Sequence, residues 1–251
     1  MSTHRLLTSA DSAGQQGPLT VSMATGAHEI METLRLRHQV FAKEMRANLR
    51  RSEHEIEEDE FDKYCRHLVV RNNATGEVVG STRLLLQDDV GLAGMFYAET
   101  GFELDQILTL PGRFMEVGRH CIHAEYRRGA VMRLLWAGIV QQMLANDIDH
   151  LLGCASLPMD EDGAYARAIV ARTPVQYFTP KHLRATPRLP LPDIGTSITL
   201  PLTLPAQLTA YLRMGARICG DACWDPVFNC ADVLVLMHRE QLAPCHVLAC
   251  A

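Results

Sequence analysis

The sequence predicts an α/β sandwich built around one mixed sheet. Three observations carry this. Helical and strand periodicities alternate along the chain, as they do when helices pack on a sheet. Two early β-rich runs are joined by a short turn, so at least one strand pairing is antiparallel and the sheet is mixed. The 251 residues, 47% hydrophobic and 21% charged, are enough for one large core.

In chain order, Ile30, Leu34, Phe41 and Met45 recur at helical spacing and predict an amphipathic helix over Ala27–Ala47. The acidic run SEHEIEEDEFD follows as a loop, and then CRHLVV. RNNATGEVVGSTRLLL holds two β-rich runs around an Asn-Asn-Ala-Thr-Gly turn, which reads as a hairpin. FELDQIL is predicted as a short helix, and RFMEVGRHCIH (Arg113–His123) as a strand. Val131, Leu134, Leu135, Ile139 and Met143 then mark one face of a helix. HLLGCASL is a strand and YARAIVAR a helix. Residues 173–205 hold seven of the twelve prolines and read as an extended insertion. AQLTAYLRMGARICG returns to helix and ADVLVLMH to strand. Residues 1–22 are expected to form a flexible extension, with 23–251 as a single domain.

The bulk numbers exclude several classes. A formal net charge of −5 argues against a sequence-independent grip on nucleic acid. No apolar run approaches the roughly 20 residues of a spanning helix. The leader lacks the apolar core of a secretory signal, so the eight cysteines read as reduced, mostly buried thiols. A cytoplasmic protein is expected, with at most peripheral membrane contact. Cys219 and Cys223 stand one helical turn apart, but no second pair matches them, so no metal site is expected. Cys121 beside His123 resembles a nucleophile pair, against which stands the plain reading of a buried thiol.

Glu116 and Arg119 raise the main question, because an unpaired charge in a core is very costly. Three residues apart on an ideal strand, they face opposite sides. Two explanations stay open: a bulge at Gly118 realigns them, or each has its own partner. The candidate partners are Arg37, Arg83, Asp59 and Asp62. A structural ion-pair network and an active site both account for these charges, and their convergence from several elements on one cleft favours the site. In EYRRGAV, a strand ends on a glycine turn that feeds a helix. Its free N–H groups, the helix dipole, Arg127 and Arg128 make a favourable place for a phosphate.

Taken together, RHQVFAKE, EEDEFDKYCRHLVV, GEVVGSTRLLL, EVGRHCIHAEYRRGAV and YLRMGARICGDACWDPVFNCADVLVL resemble the ornithine–acyl carrier protein N-acyltransferases. These are the hemolysin-like branch of the GNAT acyltransferase fold. The chain is also similar to acyl-homoserine-lactone synthases and long-chain N-acyl amino acid synthases. They share Arg37 and Phe41 on the first helix, the pair Asp59 and Asp62, Arg83 after a strand glycine, and Glu116 with Arg119.

The resemblance implies a GNAT-like three-layer sandwich whose central sheet is splayed, so that a pantetheine arm slides between RFMEVGRHCIH and HLLGCASL. The arm's phosphate would sit on Arg127, Arg128, Gly129, Ala130 and Val131. No bound cofactor is implied; the co-substrate would be an acyl carrier protein thioester, with Arg127, Arg128 and Arg133 offering a patch for that acidic partner. The acceptor would be ornithine or another amino acid. Deprotonating an α-amine at pH 7 costs about 1 kcal/mol, against about 4–5 kcal/mol for a lysine-like side-chain amine, so chemistry favours the α-amine. Glu116 is the expected base or amine anchor, with Arg119 orienting it. Asp59 and Asp62 would pair with the acceptor's cations or with Arg37 and Arg83. Leu189, Leu191 and Ile194 in the insertion would cover the acyl chain or touch a membrane. The competing functions are an acyl-homoserine-lactone or other N-acyl amino acid synthase, and a non-catalytic carrier-protein or lipid-binding module.

Overall fold

The computed structural model describes residues 17–49, 54–192 and 203–242. Strand β1 (Leu19–Met23) leads into α1 (Ala27–Arg37), which continues as a π-helical stretch, His38–Glu44. β2 (Arg66–Asn72) and β3 (Val78–Leu86) form the hairpin, followed by a short helix, α2 (Gln87–Ala93). After β4 (Phe102–Glu103) come β5 (Phe114–Ile122), α3 (Ala130–Ala145), β6 (His150–Pro158) and α4 (Asp160–Arg172). The insertion contributes β7 (Thr186–Pro187), and the chain closes with α5 (Ala206–Arg213), β8 (Arg217–Ile218), β9 (Cys223–Asp225) and β10 (Cys230–His238).

One mixed sheet runs β1-β2-β3-β5-β6-β10-β8, with β9 paired to β10. The β5–β6 pairing decides what this sheet can do. The two strands are parallel and in register only from Phe114↔His150 to Val117↔Gly153. Beyond Val117, β5 stays with β3 as far as Ile122, while β6 follows β10 to Pro158. The sheet therefore forks at its centre, as expected for a splayed pair.

Alternation along the strands sends two sets of side chains to opposite faces. Met115, Val117, Leu151 and Val233 join a core with Val131, Leu135, Ile139, Ile169 and Tyr211, under α3, α4 and α5. Phe114, Leu152 and Leu234 pack on the other face with Phe61, Phe96, Phe102 and Ile107. There Leu36, Val40 and Phe41 of the first helical segment cover Cys121.

Four expectations need correction. The flexible extension does not reach residue 22, because Leu19–Met23 pairs with β2; residues 1–16 lie outside the described part. FELDQIL is not a helix: Phe102–Glu103 pairs with β7, and Phe102, Leu104 and Ile107 are all buried, so tertiary packing outweighs local propensity. The last helix stops at Arg213, and Arg217–Ile218 pairs with β10. The first helix changes period at His38 instead of running on as α to Ala47. In the insertion, Leu191 packs against the core and Leu189 is exposed, while Ile194 lies outside the described residues. Among the described residues no helix is long and apolar enough to cross a membrane.

Candidate active site

Three arginines and three carboxylates meet on the α1 face of the sheet. Arg37, at the end of α1, is fully buried; its guanidinium binds Glu57 through Nε and Asp62 through Nη1, each at 2.5 Å. Arg83 of β3 reaches Asp59 at 2.6 Å and Asp62 at 3.1 Å. Arg119 of β5 reaches Asp59 at 2.8 Å and Glu57 at 3.4 Å. Burial alone would raise the Asp62 carboxyl, but the Arg37 hydrogen bond and charge, with Arg83 behind them, hold it well below the usual range. Asp59 and Asp62 are thus both paired with arginines. Glu57 does not stand out in the acidic run of the sequence. Its signal is its place two residues before Asp59 on an alternating stretch, where Glu58 and Glu60 are exposed and Glu57 is buried.

Both explanations for Glu116 and Arg119 apply. Ser81 pairs with Cys121 and Arg83 with Gly118, so Thr82 faces two β5 residues, Arg119 and His120. This is a β-bulge one residue beyond Gly118, and Arg119 adopts φ +53° within it. The extra residue returns Arg119 to the Glu116 face and turns His120 to the other. Among the described residues, Glu116 nevertheless pairs with no arginine. Its two oxygens accept the backbone N–H groups of Tyr97 and Ala98 at 2.6 and 2.8 Å. Burial raises its pKa more than Arg83 and those two N–H groups lower it, leaving it at about 7. Arg119 is connected to it only through Tyr97: its guanidinium lies over the rings of Tyr97 (4.6 Å) and Phe228 (4.7 Å) and donates to the Tyr97 hydroxyl at 3.3 Å. Phe41 meets Phe228 edge-on at 5.5 Å and closes that stack. A cavity of about 10 Å³, near the size of one water, is lined by Glu116, Arg83, Tyr97, Gly118, Cys65 and Leu85.

The fork between β5 and β6 is occupied on its other face by Tyr211 of α5. A Cβ at Gly153 would lie 2.8 Å from the Tyr211 oxygen, so the missing side chain makes its room. Tyr211 Oη lies 3.3 Å from His120 Nε2, and its ring meets Trp136 edge-on. Gln207, one turn earlier, donates to the Cys154 carbonyl on β6 at 3.4 Å. Neither Tyr211 nor Tyr97 carries a motif in the sequence. Tyr211 lies among apolar neighbours at helical spacing and reads as core until the fork is known.

At the predicted phosphate turn, Gly129 (φ +97°) precedes Ala130, the first residue of α3. Arg133 lies over Gly129, and Arg128 is exposed. Arg127 is held by Glu44 at 2.5 Å and by the Ile122 carbonyl at 3.0 Å, so it ties the turn to the first helical segment. The Val131 side chain is fully buried and leaves only backbone for a ligand; it fits because its methyl fills the place of the Cβ that Gly80 lacks.

Cys121 is buried 3.2 Å from Ser81 Oγ, and burial pushes its thiol up to about 11, which leaves it inert at neutral pH. Asp232 of β10 accepts from Ser156 at 2.6 Å and shares the Glu116 face; Asp225 ends β9 and accepts the backbone N–H of Phe228 in the loop that follows. Asp225, Cys230 and Asp232 have donor atoms within 4.8 Å of one another, and burial raises both the Cys230 thiol and the Asp232 carboxyl above their ordinary values. A larger cavity, about 400 Å³, lies on the side of α1 away from Arg37, between Glu32, Arg35, Gln39, Glu77, His123 and Glu125.

A mixed sheet forked between two parallel central strands, with a glycine turn and helix N-terminus at the end of one, defines a GNAT-type acyltransferase. Residues 36–137 match the acetyltransferase (GNAT) domain family. Two solved structures share the fold at low identity: the acyl-homoserine-lactone synthase LasI (TM-score 0.53, 14% identity, 90% of this chain and 95% of that one) and FeeM, an N-acyl amino acid synthase from uncultured soil microbes (TM-score 0.54, 9% identity, 88% and 90%). Along 247 residues the chain is 32% identical to the L-ornithine N(alpha)-acyltransferase of Rhizobium meliloti (strain 1021), covering 91% of this chain and 82% of that one. The chain belongs to the L-ornithine N(alpha)-acyltransferase family.

Proposed function

We propose that this acyltransferase moves a 3-hydroxyacyl or other fatty acyl group from acyl carrier protein to the α-amine of ornithine, the first step of ornithine lipid synthesis. The observation that carries the reading is Glu116: a carboxylate buried beside the strand fork without an arginine partner among the described residues, held by two backbone N–H groups and pushed up to about 7 by burial. That value suits an α-ammonium group at about 7.7–8.0, since proton transfer between them costs only about 1 kcal/mol.

The arm of the carrier protein enters the fork, with its phosphate at Arg128, Arg133 and the N-terminus of α3. A backbone N–H at the β5 bulge polarises the thioester carbonyl. The acceptor's α-ammonium loses a proton to Glu116 and the free amine attacks the carbonyl carbon; the adduct nitrogen gives its second proton to solvent as the C–S bond breaks, and the Tyr211 hydroxyl protonates the departing sulfur. Arg119 is a positioning residue, fixing Tyr97 and through its N–H the Glu116 carboxylate. Glu57, Asp59 and Asp62 are neutralised by three arginines, so they do not serve the acceptor's second cation. Asp225 and Asp232 do, because among the described residues neither has an arginine or lysine within ion-pair distance. Carrier protein and peripheral membrane contact at a cytoplasmic face belong to the same proposal.

The test supplies 3-hydroxyacyl carrier protein, a panel of amino acids and S-adenosylmethionine together, and identifies products by mass. Acylated ornithine is the expected product. A lactone from S-adenosylmethionine, or no acylated amino acid, overturns the reading.

A further inference from the structure

The proposed chemistry leaves a buried imidazole on the fork unused. His120 is the second residue of the β5 bulge and turns to the face opposite Glu116. Its Nε2 lies 3.3 Å from Tyr211 Oη, its ring sits 5.9 Å from that of Trp136, and its Nδ1 is buried without a partner. From this geometry we infer that His120 is a positioning residue for Tyr211: it donates Nε2–H to the phenol oxygen, aims the hydroxyl hydrogen into the fork, and stabilises the phenolate that forms as sulfur is protonated. The inference rests on the proposed acyl transfer.

Three observations support it. First, the two groups meet where β5 and β6 part, since Tyr211 Oη fills the space left by Gly153, the last residue of β6 in register with β5. Second, Tyr211 is only 1% exposed, and burial raises its hydroxyl above the ordinary 10, so a phenolate there needs a donor behind it. Burial also pulls His120 down to about 4, so at neutral pH the ring carries one hydrogen and no charge. Third, with that hydrogen on Nε2, Tyr211 accepts from His120 and keeps its own hydrogen for the ligand. The opposite tautomer would use the tyrosine hydrogen on His120 and bury an unpaired Nδ1–H. The protons balance: the ammonium gives one to Glu116 before attack, the adduct nitrogen gives a second to solvent as the amide forms, the sulfur takes one from Tyr211, and solvent resets both groups after product leaves, with one proton released overall.

A merely structural role would not depend on the leaving group, and this decides the test. Thiol release is followed for the wild type and for His120→Phe, His120→Gln, Tyr211→Phe and the Phe/Phe double variant, with ornithine as acceptor. Each is given the pantetheine thioester and an aryl thioester of the same acyl chain, whose thiolate leaves without a proton. His120→Phe is expected to lower kcat about tenfold on the pantetheine thioester with little change in KM, and by less than about threefold on the aryl thioester. His120→Gln, whose amide N–H reaches the Nε2 position, recovers most of that loss. The double variant is no slower than Tyr211→Phe alone. Equal losses on both thioesters, no rescue by glutamine, or additive effects in the double variant overturn the inference while the ornithine reading stands. Should the phenylalanine variant not fold, His120→Leu takes its place. Failure of the wild type to acylate ornithine overturns both.

Discussion

Replacing Glu116 by glutamine is the sharpest perturbation of the proposed chemistry. Its carboxyl is moved from an ordinary 4.5 to about 7, chiefly by burial. A base with that value is half ionised at neutral pH, so the wild-type kcat/KM is expected to rise about tenfold per pH unit below 7 and then level off. Glutamine cannot take the proton. The rate at pH 7 should fall by roughly 10²–10³, and the rising limb should move to the amine's own pKa, about 7.7–8.0. The deficit should narrow by about pH 9, where most of the amine is already neutral.

The same group leaves a mark on stability. Its folded-state pKa lies above the unfolded one, so the native protein binds more protons between 4.5 and about 7. Stability from this group is present below that window and is lost as pH rises through it, by about 3 kcal/mol in all. Glu116→Gln removes the slope and recovers part of that loss above pH 7, less about 1 kcal/mol for the N–H group an amide cannot satisfy. Initial rates of carrier-protein thiol release and thermal melts, both taken from about pH 5.5 to 9, read the two effects. A wild-type rate in the variant, or a rising limb still centred near 7, would refute the reasoning.

Three further outcomes follow from the geometry. Asp62→Ala leaves Arg37 and Arg83 short of a partner and should cost about 3–5 kcal/mol, a fall in Tm on the order of 10 °C. Because Asp62 is held below the usual range, its contribution is full above about pH 4 and lost on further acidification, a limb the variant's melts should lack. Gly80→Ala drives a methyl into Val131 and should destabilise by about 1–3 kcal/mol, with Val131→Ala in the same chain restoring most of it; strict additivity in that double-mutant cycle would contradict the packing argument. Asp232→Asn should raise KM for ornithine about tenfold and leave acceptors without a side-chain cation unmoved, whereas equal shifts for both would remove Asp232 from cation recognition.

Much of this architecture was legible in local pattern. The 3.6-residue period of α3, the hairpin turn before β3 and the apolar run of β5 each fix an element without long-range help. The lone charges on apolar elements also marked where those elements converge, because Arg37, Arg83 and Glu116 have no reason to be buried singly. What sequence could not show is which charge meets which. Gly118 hints at a bulge but not at its place on Arg119 and His120, which decides that Arg119 faces Asp59. Glu116 is satisfied by two backbone N–H groups, which any sequence supplies and none advertises. Phe102 and Ile107 fit a helix locally and are claimed by the core instead. Tyr211 stands 91 residues from His120, so its role depends wholly on the fold.

The most direct measurement is the position of the acyl group on the product. Ornithine and 3-hydroxyacyl carrier protein are incubated with the purified protein, and the product is fragmented in a mass spectrometer. An amide on the α-nitrogen with the side-chain amine free is the predicted result. An amide on the side-chain nitrogen, or no amide, would contradict the account.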